Sequence, residues 1–324
     1  MFIKDNYTPI FFKDYIIHKN LTPKLINLLH FDLPHIIFYG PNSCGKTTLC
    51  KSFISELYNT KIETVKKKFT IKILNNTKDI YINQSEYYFE ILIDKYLIYN
   101  KQYLINLIIS LTETNDINEA CLYKIIVIKN IDLLPIDFYL FIKNTIEKKY
   151  NTIRFIFITS NISKIKLYKS FFLLFKVNEA KKEEKIQLLN HIIKDRNIKV
   201  NIDIDNLSNN NLINMILKFE LLLFNNSYIF QEDLFIEKII KLIEEKKINN
   251  IIVLREILYE IMALNINFKP ILNKILKMFL QKKLSSNTKY NIIELYSKYN
   301  TKSIKSYKNV IIIESLLVNI MSIL

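Results

Sequence analysis

Two glycines, Gly40 and Gly45, are all that this chain of 324 residues contains, and both lie in Gly40-Pro41-Asn42-Ser43-Cys44-Gly45-Lys46-Thr47. That run satisfies G-x-x-x-x-G-K-[ST]. An apolar segment with strand character ends at Tyr39 and an amphipathic segment of helical period begins after Thr47, the strand, loop and helix context such a loop requires. Glycine at both positions lets the backbone curl so that successive N–H groups face one point, and the following helix N-terminus adds partial positive charge there. The pattern therefore predicts a cradle for the phosphates of ATP or ADP, formed by Gly40, Pro41, Asn42, Ser43, Cys44, Gly45, Lys46, Thr47 and Thr48. Lys46 is expected to reach the β- and γ-phosphates and the Thr47 hydroxyl to ligate Mg²⁺.

Around this loop, runs of β-branched and aromatic residues at 35–39, 69–74, 87–93, 124–128, 154–159 and 172–177 predict strands. Helical periodicity at 48–58, 103–112 and 137–148 separates several of them, so residues 1–177 read as an α/β domain with a parallel sheet. From Ala180 onward the pattern is helical, with breaks near 209–211, 225–227, 265–270 and 285–287. This predicts a small helical lid at 178–230 and an all-α domain at 231–324. The N-terminal residues mix charge with aromatics and lack the apolar run of a signal peptide. No transmembrane span is expected, because the most apolar stretch, 309–324, is short and carries Glu314; it reads as a buried helix.

Half of the residues are hydrophobic, which excludes a disordered tail. The net charge of +15, from 46 Lys+Arg against 31 Asp+Glu, favours a polyanionic partner. Cys44, Cys50 and Cys121 have neither metal-ligand nor disulfide spacing, consistent with a reducing compartment.

Hydrolysis needs more than the loop. A second strand should end in an acidic residue for Mg²⁺, with a neighbouring carboxylate to activate water. The corresponding run is Lys129-Asn130-Ile131-Asp132, where Lys and Asn stand at the two positions expected to be acidic. Neither can act as a general base. Asp132 lies past the strand end and suits a capping or surface role better than metal binding. Lys129 itself has two readings, a solvated side chain or an ammonium that neutralises phosphate charge near the usual metal position.

Several short motifs in order along nearly the whole chain resemble replication factor C small subunits, the AAA+ family of clamp loaders. Asp5-Asn6-Tyr7-Thr8-Pro9 is similar to D-K-Y-R-P, and Ile16-Ile17-His18-Lys19 resembles the D-Y-H-K segment of the hydrolytically inactive subunit. Residues 33–41 resemble F-P-H-L-L-V-Y-G-P, Ser55-Glu56-Leu57-Tyr58 resembles R-E-L-Y, and residues 86–91 resemble N-Y-H-L-E-V. Thr145-Ile146-Glu147-Lys148 is similar to T-M-E-K, and residues 254–260 to the R-x-x-L-Y-E of the collar domain. The departures from the family fall at catalytic positions. Lys129-Asn130-Ile131-Asp132 stands for D-E-A-D, Ser160 for the sensor Asn with Asn161 adjacent, Phe171 for the arginine finger, Ile213 for the lid's sensor Arg and Thr8 for the Arg of the opening motif.

The resemblance implies a nucleotide-holding, non-hydrolysing subunit of a heteropentameric loader. Its partners would be other replication factor C subunits, a sliding clamp and primer-template DNA in the nucleus, with no membrane. Lys143, aligned with a basic pair of the family, is then the expected DNA-phosphate contact. Two alternatives stay open: a self-sufficient ATPase using Asp132 or Glu90, and a small subunit shared with a checkpoint-type loader. Lys66, Lys67 and Lys68 read as a solvated loop, the aromatics as core, and His18, His30, His35 and His191 as packing or surface residues, with His35 at a strand entrance.

Overall fold

The computed structural model describes residues 2–73, 76–94, 97–98, 100–113, 123–163, 166–197, 204–208, 211–224, 231–264, 266, 268–305 and 309–324. It divides into two compact units, residues 1–226 and 227–324. The first is built on a seven-stranded sheet: β1 (Ile36–Tyr39), β2 (Val65–Ile73), β3 (Asn76–Gln84), β4 (Tyr88–Leu92), β5 (Lys124–Lys129), β6 (Ile153–Thr159) and β7 (Leu173–Lys176). The strand order is β2-β3-β4-β5-β6-β1-β7. From β4 to β7 all pairs are parallel, whereas β2 pairs with β3, and β3 with β4, antiparallel. The expected parallel sheet is the core, and an antiparallel hairpin extends it at one edge. The run Lys66-Lys67-Lys68 is not a loop but part of β2, on the hairpin at the sheet edge. β3 went unread in the sequence because only Ile80, Tyr81 and Ile82 of its residues are apolar or aromatic and polar residues flank them on both sides.

The parallel core strands are buried on both faces, and their side chains separate by alternation. Ile37, Ile91, Ile126, Ile128, Phe155 and Phe157 join one cluster, together with Leu104, Leu107 and Ile108 of helix Lys101–Glu113 and Phe138 and Ile142 of helix Ile136–Lys148. Ile36, Phe38, Ile125, Val127, Ile156 and Ile158 point the other way, onto Leu49, Cys50, Phe53 and Ile54 of helix Lys46–Tyr58 and Leu25 of helix Thr22–Leu28. That parity decides which side chains at the strand ends can reach the loop.

Three helices follow β7: Lys182–Asp195, Ile204–Ser208 and Leu212–Phe224. Their apolar faces meet around Leu189, Ile192, Met215 and Phe219, with Ile3 from the N-terminus inserted among them and its N–H donating to Glu220 Oε1 at 3.0 Å. The second unit consists of helices Gln231–Glu244, Asn250–Ala263, Phe268–Gln281, Ser286–Lys305 and Asn309–Ile323. Its core includes Ile243, Leu254, Ile261, Phe279 and Leu317, so the apolar C-terminal stretch is a packed helix as expected. Pro270 sits in the first turn of its helix, where no donor is missed, and Ser285 Oγ accepts the Thr288 N–H at the start of the next. Among the described residues no helix is long and apolar enough to cross a membrane.

Candidate functional site

In open α/β sheets ligands bind beyond the carboxyl ends of parallel strands, and the glycine-bearing loop leaves the end of β1, between β6 and β7. Gly40 is held where no other residue fits. Its φ is +153°, and a Cβ built there would lie 2.0 Å from the Val177 carbonyl oxygen, so the loop passes against the chain leaving β7. Gly45 has φ +95° and Ser43 +61°. These left-handed residues reverse the chain into helix Lys46–Tyr58, whose N-terminus abuts the loop without a side-chain cap. Asn59 in the left-handed conformation ends that helix.

Lys46 is buried, and its ammonium donates to the carbonyl oxygens of Gly40 at 2.8 Å and Pro41 at 2.6 Å, spanning the loop as a charged brace. Cys44 Sγ lies 3.9 Å from the same nitrogen. Burial pushes its thiol pKa up, against the opposing pull of Lys46. Cys44 and Cys50 are both buried free thiols, and burial pushes Cys50 up to about 12. Cys121 lies outside the described residues. Pro41 and Asn42 are exposed, and Thr47 and Thr48 are half-buried on the first turn of the helix.

The N-terminal segment supplies a contact that composition did not reveal. His18, with φ +63°, brings Nε2 within 2.7 Å of the Cys44 carbonyl oxygen and lies beside Gly45. Next to it is a cavity of about 380 Å³, lined by Ile16, Ile17 and His18, by Ser43, Gly45 and Thr48, and by Leu188, Ile213 and Ile216. Its size and mixed lining suit a small ligand. Ile213, at the position of the expected lid Arg, is part of its apolar wall.

The end of β5 is arranged differently from a metal-binding strand. Lys129 Nζ lies 2.8 Å from Glu90 Oε1 on β4, with side-chain exposures of 15% and 4%. Asn83 Nδ2 donates to the same oxygen at 2.8 Å, and Lys51 Nζ stands 3.9 Å from Oε2. Burial alone would raise the Glu90 pKa, but the Lys129 hydrogen bond and charge, with Asn83 and Lys51, outweigh it and hold the carboxyl below its ordinary value. Asn130 turns the chain in the left-handed conformation, donating its N–H to the Ile158 carbonyl at 2.8 Å.

Asp132 accepts from Thr159 Oγ1 at 2.8 Å and from Ser160 Oγ at 3.1 Å, tying the end of β5 to that of β6. Asn161 Oδ1 accepts the Ser163 N–H at 2.9 Å and closes a local turn. Thr8 Oγ1 donates to the Lys4 carbonyl at 2.7 Å. Lys143 is half-buried, its ammonium 5.5 Å from the Phe171 ring centroid and 3.7 Å from Glu147. Among the described residues no group of three His, Cys, Asp or Glu side chains is placed to hold a metal ion.

No protein-family model matches the chain. It is 32% identical over 176 residues to a protein of Acanthamoeba polyphaga mimivirus inferred to be a replication factor C small subunit, covering 51% of this chain and 46% of that one. It is 24% identical over 214 residues to replication factor C subunit 3 of Arabidopsis thaliana, covering 60% and 58%. The chain thus spans about half the length of these relatives, while a 25% identical match to replication factor C subunit 5 of Oryza sativa subsp. japonica covers 98% and 96%. Among solved structures, the Thermotoga maritima RuvB Holliday junction branch migration motor aligns at a TM-score of 0.45 and 15% identity, covering 66% of this chain and 64% of that one. By sequence the chain is similar to replication factor C subunits of viral and plant origin.

Proposed function

We propose that this chain holds ATP or ADP on the loop Gly40–Thr47 and serves as a non-hydrolysing subunit of a replication factor C-type clamp loader. One observation carries the reading. The loop takes left-handed turns at Ser43 and Gly45 into the helix that begins at Lys46, while the end of β5, which should supply a metal-bound and a water-activating carboxylate, presents Lys129 already paired with Glu90. The cavity beside the loop supplies room for a base and ribose between the N-terminal segment and the helices that follow β7. Similarity to replication factor C subunits supports the rest: association with other subunits of that kind, a sliding clamp and primer-template DNA, in the nucleus. Lys143 remains the proposed DNA-phosphate contact, and the net charge of +15 agrees with such a partner.

A self-sufficient ATPase would need Asp132 or Glu90 as its base. Asp132 is engaged by two hydroxyls and Glu90 by an ammonium and an amide, so neither carboxylate is poised to accept a proton from water. The test is equilibrium binding of a fluorescent ADP analogue to the full chain and its Lys46→Ala variant, with steady-state ATPase assayed in parallel with clamp and DNA. Binding lost in the variant, with no turnover in either protein, is the expected result. Turnover abolished by Lys46→Ala would establish an enzyme instead. Affinity capture of the chain should bring down related subunits and a clamp; capture of the chain alone would remove the assembly from the reading.

A further inference from the structure

Magnesium bound beside such a loop is held by the Thr47-type hydroxyl together with a carboxylate from a neighbouring strand end, and the residues present here do not fit that ion. The alternation along the sheet makes the case. Lys129 shares the parity of Ile125 and Val127, and Glu90 that of Tyr88, so both project onto the face covered by helix Lys46–Tyr58. Thr47, Cys50 and Lys51 stand three and four residues apart on that helix and therefore share one side of it. Lys51 approaches Glu90, and the Cys50 thiol feels the charges of Lys129, Glu90 and Lys51, which places the Lys129–Glu90 pair under the helical face that carries Thr47.

Glu90 on β4 and Asp132 just past β5 are both committed. Glu90 Oε1 accepts from Lys129 and Asn83, and its Oε2 faces Lys51. Asp132 is held by Thr159 and Ser160. Asn130, which stands where a second acid is required, carries no charge and shapes the turn through its backbone. Lys129 and Lys51 against Glu90 leave an excess of one positive charge beneath the loop helix, in addition to Lys46. A divalent cation entering this neighbourhood would find Glu90 and Asp132 already engaged and would be repelled by the ammonium groups of Lys129 and Lys51, a repulsion scaling inversely with distance in a partly buried site.

Resting on the nucleotide reading above, we infer that the site takes its nucleoside di- or triphosphate as the metal-free anion, with fixed lysine charge standing where other loops of this type use magnesium. The residues responsible are Lys46 at the loop and the Lys129–Lys51–Glu90 cluster below it.

The test is isothermal titration of the full wild-type chain with ADP and with a non-hydrolysable ATP analogue, in magnesium buffer and in excess EDTA. The apparent dissociation constant is expected to be weaker in magnesium than in EDTA, because the cation sequesters the free nucleotide that the site selects, whereas a bridging cation would tighten binding about tenfold for each 1.4 kcal/mol it supplied. A second readout is direct: with Mn²⁺ in place of magnesium, its electron paramagnetic resonance signal in the presence of chain and ADP should match that of Mn²⁺ with ADP at its free concentration. Nucleotide binding as tight or tighter in magnesium, or a new immobilised Mn²⁺ signal, would overturn the inference and leave the nucleotide reading intact. Absence of binding in both buffers would overturn the nucleotide reading and this inference with it.

Discussion

Replacing Lys129 with methionine removes one partner of a pair that the fold has taken out of water. At 2.8 Å the Coulomb attraction to Glu90 is on the order of 6 kcal/mol for an effective dielectric of about 20. Desolvation of both groups offsets part of that, yet the variant does not recover it, because Glu90 stays 4% exposed with its hydrogen-bonded cation gone. Removing one member of a buried pair costs roughly 3–5 kcal/mol. Lys51 at 3.9 Å and Asn83 at 2.8 Å remain, which places Lys129→Met at the lower end, about 3 kcal/mol. For a unit of this size that is a fall in melting temperature of roughly 6–12 °C.

The pH dependence gives the effect a signature. In the wild type the Glu90 pKa is depressed, so its contribution is present above the ordinary carboxylate value of 4.5 and is lost as pH falls through the folded value. Without Lys129 the burial contribution dominates, the folded pKa rises above 4.5, and protonation relieves the variant. Its deficit should therefore shrink as pH is lowered from neutrality towards 5, and Glu90→Gln/Lys129→Met should recover most of the loss at neutral pH. Thermal melts of the four members of this cycle across pH measure both. A Lys129→Met chain as stable as wild type, or a deficit that does not move with pH, would refute the buried-pair reasoning.

Three further outcomes follow from other parts of the molecule. Gly40→Ala drives a methyl group into the Val177 carbonyl and should cost roughly 3 kcal/mol by denaturant unfolding, with nucleotide affinity falling as the loop shifts. His35 accepts the Phe155 N–H at Nδ1 while burial, aided by Arg154, lowers its pKa from 6.5 to about 4. The unfolded chain thus binds a proton that the folded one refuses, so on the order of 3 kcal/mol of stability present above pH 6.5 is lost on acidification towards 4. His35→Asn, which retains an acceptor, should flatten that part of the pH–stability curve. Asp132→Ala removes the acceptor of Ser160 and one of the two acceptors of Thr159, whose hydroxyl keeps the Asn161 carbonyl, and should cost about 1 kcal/mol while nucleotide affinity stays unchanged; a large loss of affinity would return Asp132 to the site.

Part of the site was legible because its signal is local. The loop needs glycine at two places for steric reasons that act within a few residues, and the flanking strand and helix declare themselves by periodicity. Where the reading ran short, the determining contacts join segments far apart in the chain. β3 looks polar because only one of its faces is buried, and Lys66 to Lys68 looked like a loop because the partner that makes them a strand follows later. The cavity walls come from residues near position 17 and near position 213, and His18 reaches Cys44 only once the N-terminal segment is folded back.

The sequence by itself determined a phosphate cradle in an α/β unit followed by helices, and the absence of acidic residues at the strand end where catalysis would need them. It left Lys129 with two fates, a solvated side chain, the more ordinary of them, or a charge beside the phosphates. Only the tertiary structure decided how that charge is held, by bringing Glu90 from the neighbouring strand within hydrogen-bonding distance on the same face of the sheet. The physical reason is that periodicity records which residues are buried, whereas the charge state and reach of a buried ion depend on what the fold places against it.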